Sequence, residues 1–371
     1  MTTTYADVDL GVVGLGGMGT KHAAHATDLG ASIAGGADVV ASAREAFEDE
    51  YDAPTFEDHE TLYDEAQPDA VVITTPNAFH APAAVAALER DIPVLLEKPV
   101  ADTLENALDV EAATEASSAF CMVGFHNRFC GAADLFKEFQ RQGRFGDIQH
   151  VEANFLRRRG IPGRGSWFTS KELSGGGALI DLGVHAVDFA MYLADFPAVE
   201  SVSGVTLSAF GSRQEYADPD NWNDNWTTDE DEFDVEDSAT AFIRCANGTT
   251  IYLDVSWAAN CEPAVHAEVR GTGAGATLGF GSDTLEINEA GTDGVDHYAD
   301  TEYETNREKS GHAAEDELFL DCVTAGTPPE TNTIEEGIAV QRILDAIYRS
   351  AETGEPVSLS ERDDRSPIDP M

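Results

Sequence analysis

Three groups of residues in this chain could do chemistry. The first is Gly14-Leu15-Gly16-Gly17-Met18-Gly19, a GxGxxG run that follows a short apolar segment and opens a helical one. In that setting Gly14 makes a tight turn, Gly16 lets backbone approach a pyrophosphate, and Gly19 permits close helix–strand packing, with Gly17 and Met18 completing the loop. The helix end presents unpaired N–H groups and partial positive charge to the phosphates. Asp38 lies 19 residues beyond Gly19, at the end of the next strand signal. A carboxylate there binds the adenosine ribose hydroxyls and repels the extra phosphate of NADP. The pattern points to a dinucleotide, NAD by preference, with NADP possible because Ser42 and Arg44 lie close behind.

The second group is Leu95-Leu96-Glu97-Lys98-Pro99, which places Lys98 at the C-terminal end of a buried strand. Open α/β sheets bind ligands at that edge, and Pro99 steers Lys98 away from helical geometry. Lysine is scarce here, with five residues against 17 arginines. Thr75-Pro76-Asn77-Ala78-Phe79-His80 ends the preceding strand and forms a neighbouring wall. His80 either shapes the cofactor site or caps and packs. The third group lies in Gly175-Gly176-Gly177-Ala178-Leu179-Ile180-Asp181-Leu182-Gly183-Val184-His185-Ala186-Val187-Asp188. Asp181 and His185 are spaced i, i+4 and share a helical face. They could form an acid/base pair, since an imidazole near pKa ~6.5 suits proton transfer at neutral pH; the plainer alternative is a pair that merely caps or bridges.

The elements that must position these groups alternate in the first third. Strand signals at Val8–Gly14, Ser32–Ala37, Asp69–Thr74, Ile92–Leu96 and Phe120–Gly124 are interleaved with helical ones at Gly16–Leu29, Ala41–Tyr51, Ala78–Arg90 and Thr103–Ser117. Alternation of this kind implies a parallel, doubly wound sheet. Beyond about residue 125 the signals become successive strands: Asp147–Leu156, Val199–Ala209, Ser238–Cys245, Thr249–Trp257, Val265–Arg270 and Ala276–Phe280. Asn247-Gly248 is a hairpin turn signal between two of them. A mostly antiparallel sheet follows, open on one side or covered by helices, with helices predicted at Ala178–Leu193, Ala313–Ala325 and Ile334–Ala351. The fold class is α/β in two domains, 1–125 for the dinucleotide and 126–371 for substrate and oligomerisation. Gly211–Asp237 is a long polar insertion with Trp222 and Trp226, and Glu361–Met371 is a polar, frayed end.

With 371 residues and 42% apolar content the chain can bury two cores. A net charge of −47 argues against nucleic acid and against anionic lipid as partners. The dispersed carboxylates resemble a halophile's composition. No continuous apolar run approaches 18 residues and no signal peptide is visible at Met1–Asp9, which makes cytoplasmic residence the expectation. The five cysteines form no CxxC pair, so buried, inert thiols are expected and neither a disulfide framework nor a metal site.

Together, GLGGMG (14–19), TPNAFH (75–80), EKP (97–99), GFHNRF (124–129) and GGGALIDLGVHAVD (175–188) resemble the Gfo/Idh/MocA family of NAD(P)-dependent oxidoreductases. The resemblance implies a Rossmann domain, a C-terminal α/β domain with a large open sheet, and homodimers or homotetramers built through that sheet. It implies cofactor contacts from Gly14, Gly16, Gly17, Met18, Gly19, Asp38, Thr75, Pro76, Asn77, His80, Glu97 and Lys98. It also implies Lys98, Asp181 and His185 as the catalytic set: the lysine on substrate and nicotinamide, the aspartate positioning substrate, the histidine accepting the proton. The expected reaction is hydride transfer between a sugar or cyclitol hydroxyl carbon and nicotinamide. The alternatives are a hydrolase or lyase using bound NAD as a transient oxidant, and a non-catalytic dinucleotide-binding regulator. Arg157-Arg158-Arg159-Gly160-Ile161-Pro162-Gly163-Arg164, followed by Trp167 and Phe168, offers Arg158 and Trp167 as substrate contacts, or else intramolecular ion pairs.

Overall fold

Short runs of β-branched and apolar residues separated by amphipathic helices assemble into a parallel sheet. In the computed structural model, which describes residues 5–213, 215–219 and 233–359, its strands are β1 (Asp9–Val13), β2 (Ser32–Ala37), β3 (Thr55–Phe56), β4 (Ala70–Ile73), β5 (Val94–Leu96) and β6 (Cys121–Val123). Their order is β3-β2-β1-β4-β5-β6, with every pairing parallel. That is the doubly wound dinucleotide order, in which the chain reverses direction of travel beside β1. The crossovers carry α1 (Gly17–Asp28), α2 (Ala41–Tyr51), α3 (His59–Ala66), α4 (His80–Leu88) and α5 (Leu104–Ala116). Thr103 caps α5 by accepting the Asn106 N–H at 3.2 Å, as its sequence position predicts. β1, β4 and β5 are buried nearly throughout, so they read as continuous apolar segments without alternation.

A second sheet is built from β7 (Ile148–Leu156), β8 (Val199–Leu207), β9 (Ser238–Cys245), β10 (Thr250–Ser256), β11 (Ala264–Gly271), β12 (Ala274–Gly279), β13 (Thr284–Gly291), β14 (His297–Glu304) and β15 (Val357–Ser358). Their order is β14-β13-β12-β11-β7-β10-β9-β8-β15. Only the central β7–β10 pair is parallel; all the others are antiparallel. The β9–β10 hairpin turns at Asn247-Gly248, where Gly248 has φ +91° and the Asn247 side chain accepts the Thr249 N–H at 3.0 Å. One face buries Val151, Ala153, Ile251, Leu253, Val255, Ala267 and Val269 under α8 (Val184–Leu193), while α6 (Gly131–Arg141) packs on β12 and β13. The opposite face leaves Val205, Leu207 and Phe242 exposed among charged side chains.

The chain divides into two compact units, neither contiguous in sequence. The first comprises Met1–Cys130, Gly165–Gly176 and Arg307–Gln341; the second comprises Gly131–Arg164, Gly177–Asn306 and Arg342–Met371. The chain returns to the first unit because α9 (His312–Ala325) packs on α1 and fills the core with Ala314, Phe319 and Leu320. A single boundary after residue 125 misses this return. The helices α7 (Lys171–Ser174) and α10 (Ile334–Thr353) complete the set among the described residues. The helical run Lys171–Leu193 is long and apolar enough to cross a membrane, yet 89% of its most apolar window is buried inside the protein, as in a core helix. None of the five cysteines is in a disulfide, and four of them are buried. Most of the 211–237 insertion, with Trp222 and Trp226, and the end at 361–371 lie outside the described residues.

Candidate active site

The glycine loop joins β1 to α1. Gly14 has φ +89°, and a Cβ there would come within 2.9 Å of the Thr74–Thr75 backbone. A Cβ on Gly19 would sit 1.9 Å from the Gly14 carbonyl oxygen, so this glycine exists for space. Gly16 and Gly17 behave differently: a Cβ on either meets nothing within 4 Å. Gly16 is the N-cap of α1 and supplies no side-chain bond, so the helix end keeps its N–H groups available. Met18 is half-buried beside it. Asp38 follows β2; its carboxylate accepts the N–H groups of Leu15 and Val40, both at 2.8 Å, and so stands at the mouth of the loop. Arg44 donates to the Asp38 carbonyl at 2.7 Å and to Glu57 at 3.2 Å. An uncapped helix end, an open glycine pair and an adjacent carboxylate fit a dinucleotide.

The wall beyond β4 is equally defined. The Thr75 hydroxyl is buried with no hydrogen-bond partner among the described residues, a polar atom suited to a ligand. Pro76 precedes a short turn in which Asn77 is buried and donates to the Ser174 carbonyl at 2.8 Å. His80 is buried with Nδ1 and Nε2 each 2.8 Å from a carbonyl oxygen, of Pro99 and Thr75 respectively. Burial holds its pKa below the ordinary histidine value, and the ring ties the Thr75 turn to the Lys98 turn. Glu97 is buried, with one oxygen accepting the Lys98 N–H at 3.1 Å and the other 3.2 Å from His22 Nε2. Burial alone would raise the Glu97 pKa; the His22 bond and charge, with Lys98, hold it well below the usual carboxylate range. Lys98 is half-buried in the first unit, and its bond to Pro99 is cis.

Asp181 and His185 belong to the second unit. The segment is not a uniform α-helix: Leu179–Gly183 winds as a wider i→i+5 turn before α8 begins. Such turns recur at functional sites, and this one still carries Asp181 about one turn from His185. Asp181 accepts the Trp257 indole N–H at 2.9 Å, and Trp257 is fully buried at the end of β10. His185 is buried, with the Phe155 ring centroid 6.4 Å away. The entry to this turn is capped by Glu236, whose carboxylate accepts Gly177 and Leu179 N–H groups and the Tyr348 hydroxyl, each at 2.9 Å. Burial raises the Glu236 pKa, opposed by those donors.

The basic run divides its labour. Arg158 donates to the Cys261 carbonyl at 2.9 Å and pairs with Glu262 at 2.5 Å, on the surface. Arg157 is within electrostatic reach of Asp181; burial lowers its pKa while Asp181 opposes. Its guanidinium lies over the Phe155 ring, 5.4 Å from the centroid. Trp167 lies in the first unit, stacked on Phe168 at 3.8 Å. Trp257, Arg157 and Glu236 escape a reading of local motifs because their partners are distant in the chain; Trp257 and Asp181 are 76 residues apart. Among the described residues no group of three or more His, Cys, Asp or Glu is arranged to hold a metal ion.

A parallel β3-β2-β1-β4-β5-β6 sheet with this glycine loop, followed by an open mixed sheet carrying an acid–histidine helix, defines a two-unit dinucleotide-dependent oxidoreductase. Residues 8–125 match the family described as oxidoreductase family, NAD-binding Rossmann fold, and residues 135–277 match the GFO/IDH/MocA C-terminal domain. The chain is 32% identical over 309 residues to D-glucoside 3-dehydrogenase of Escherichia coli (strain K12), covering 83% of this chain and 84% of that protein. It is 26% identical to the D-xylose 1-dehydrogenase [NADP(+)] of Haloarcula marismortui, over 96% of this chain and 95% of that one. The fold matches a levoglucosan dehydrogenase solved in complex with NADH and levoglucosan, with TM-score 0.81, 22% identity, and 95% of this chain and all of that chain covered. The chain belongs to the Gfo/Idh/MocA oxidoreductase family, and its first unit is built on an NAD-binding Rossmann sheet.

Proposed function

We propose that the protein is an NAD-dependent dehydrogenase for a secondary hydroxyl of a sugar or cyclitol ring, working in either direction, with NADP as the lesser cofactor. The relatives named for glucosides and xylose support the substrate class. Bound nicotinamide would supply the hydride acceptor. Gly14 to Gly19, Asp38, Thr75 and the Lys98 turn would hold the cofactor. His185 takes the proton from the substrate hydroxyl as its carbon gives up hydride. Lys98 donates a hydrogen bond that stabilises the negative charge building on that oxygen. Asp181 accepts from a neighbouring hydroxyl and fixes the ring. The observation that carries this reading is the Trp257 indole bond to Asp181, which holds a carboxylate about one turn from His185. An oriented acid and an imidazole on one helix are suited to reading adjacent hydroxyls.

In this proposal the first unit supplies cofactor binding, and the second supplies substrate contacts and self-association. The second copy would dock on the open sheet face, where Val205, Leu207 and Phe242 are exposed. Cytoplasmic residence is part of the same proposal. The test is a panel of glycosides, aldoses and inositols in molar KCl with NAD and with NADP, followed at the absorbance of reduced nicotinamide. Reduction of NAD by a subset of the panel is expected; no reduction of either cofactor by any member would remove the reading.

A further inference from the structure

A second polar cluster lies wholly in the first unit, and hydride transfer as described makes no use of it. His22, on α1, is 1% exposed. Its Nδ1 is 2.6 Å from Asp316 Oδ1 and its Nε2 is 3.2 Å from Glu97 Oε1. A neutral imidazole offers one N–H and one lone pair, so between two carboxylates it can satisfy only one; an imidazolium donates to both. Asp316 Oδ2 is 2.6 Å from His25 Nδ1, and Glu97 Oε2 accepts the Lys98 N–H at 3.1 Å. An unbroken chain therefore runs from His25 through Asp316, His22 and Glu97 to the backbone of Lys98.

The chain ties three elements together: α1, whose first turn is the dinucleotide end; α9, which carries Asp316; and the end of β5, which carries Lys98. Other titratable groups surround it. His312 of α9 presents its ring edge-on to His22 at 5.7 Å, with Nδ1 2.9 Å from Lys21 and Nε2 3.8 Å from Glu97. His126 stacks on His312 at 3.7 Å. Glu315, also of α9, turns to Asn332 at 3.0 Å. Burial holds His126 and His312 low, at about 4 and about 3, so both are neutral near pH 7. Burial also opposes charge on His22, but Asp316 and Glu97 outweigh it and raise the pKa to about 10. His22 is thus held as a cation beside two neutral imidazoles.

We propose that His22, clamped between Glu97 and Asp316, is a positioning residue for the Lys98 turn and sets that lysine relative to the helix end that takes the dinucleotide. The proposal rests on the dehydrogenase reading above. Asp316→Asn removes one anion from His22, so its proton leaves at a pH nearer the ordinary histidine range. NAD affinity should stay within about twofold of wild type while kcat falls about tenfold near pH ~9 and much less near pH ~6, because a misplaced catalytic group costs rate more than binding. That adds a basic limb to the pH profile of kcat; a merely structural loss would lower stability without adding a titration. His22→Gln cannot titrate and should lower kcat evenly across the same range.

Wild-type kcat and pH profile in Asp316→Asn would overturn the proposal. Should neither variant fold, 15N-histidine NMR of the wild-type protein decides: both His22 ring nitrogens protonated at about pH 8.5 is the expected result, and a singly protonated ring there overturns the clamp. The two readings fail separately. If wild type reduces neither cofactor with any sugar, the dehydrogenase reading falls. If wild type turns over and both variants match it, only the positioning role falls.

Discussion

In the second unit, Trp257 is fully buried and bonded to Asp181. Its N–H donates to Asp181, and it lies in an apolar cluster with Ile161, Ala178, Leu182 and Ala258. Trp257→Phe keeps the aromatic packing and deletes the donor. A hydrogen bond to a charged group is worth about 1.5–3 kcal/mol, so kcat/KM for the sugar should fall roughly tenfold to a hundredfold. NAD affinity should stay unchanged, which separate fluorescence titration and steady-state kinetics would establish. His185→Ala should lower kcat by about 100-fold or more, the usual worth of a general base, and again spare NAD binding. The histidines of the first unit make a distinct prediction about stability. His22 has its pKa raised to about 10, so its contribution is fully present below the unfolded value near ~6.5 and is lost as pH rises toward 10. His126 and His312 have theirs lowered to about 4 and about 3, so their contribution is present above ~6.5 and lost as pH falls toward those values. Asp316, held below its usual value by His22 and His25 against burial, adds to the loss on the acid side. Chemical denaturation across pH should therefore show a stability maximum near pH ~6.5, flanked by declines in both directions. A flat profile from about pH 5 to 9 would contradict the charge states assigned here.

At the scale of elements, the glycine loop offers a paired test. A methyl group on Gly19 collides with backbone, whereas one on Gly16 meets nothing within 4 Å. Gly19→Ala should cost several kcal/mol of stability, roughly 2–4, because neither α1 nor the Gly14 turn can yield without breaking their packing. Gly16→Ala should melt like wild type and bind NAD about tenfold more weakly, because backbone must come close to the pyrophosphate there. Thermal melting and NAD titration on the two variants distinguish the roles. The first sheet was legible because its strands are buried on both faces: VVIT at 71–74 and VLLE at 94–97 leave no other reading than short buried strands between helices. The Asp181–His185 helix was legible from its spacing, but its wide turn was not, since i→i+5 winding leaves no mark on side-chain types. β13 and β14 both went unread, the second for a physical reason. β14 places Asp and Glu on positions that are never fully buried, so its alternation carries almost no apolar signal. Charged outer strands of this kind protect a sheet edge from pairing with other chains, which is the reason for their composition and also why pattern reading passes over them. The return of α9 to the first unit was equally hidden. Its contacts, such as Asp316 with His22 and His25, span about three hundred residues of chain.

For the molecule as a whole the governing quantity is charge. With 69 acidic and 22 basic side chains, the folded protein concentrates −47 charges that the unfolded chain can spread apart. Surface ion pairs among the described residues, such as Arg158–Glu262 and Arg90–Asp64, are each worth at most about 1 kcal/mol. They cannot offset a surplus of this size. Screening can: the Debye length is about 3 Å in molar salt and about 30 Å at 0.01 M, so repulsion between carboxylates a few residues apart is nearly abolished in the first case and almost fully felt in the second. The buried His22–Asp316–Glu97 chain is shielded from solvent and should be far less sensitive to that change. Transfer from molar to millimolar KCl should thus lower Tm by roughly 10 °C or more, a few kcal/mol spread over the whole surface rather than the loss of one bond. Sodium chloride should restore it as well as potassium chloride does, since the effect is ionic strength and not a bound ion. Calorimetry over a series of salt concentrations decides the matter: a Tm independent of salt would mean that dispersed acidity of this magnitude is tolerated without screening, and a recovery with one cation only would mean specific binding.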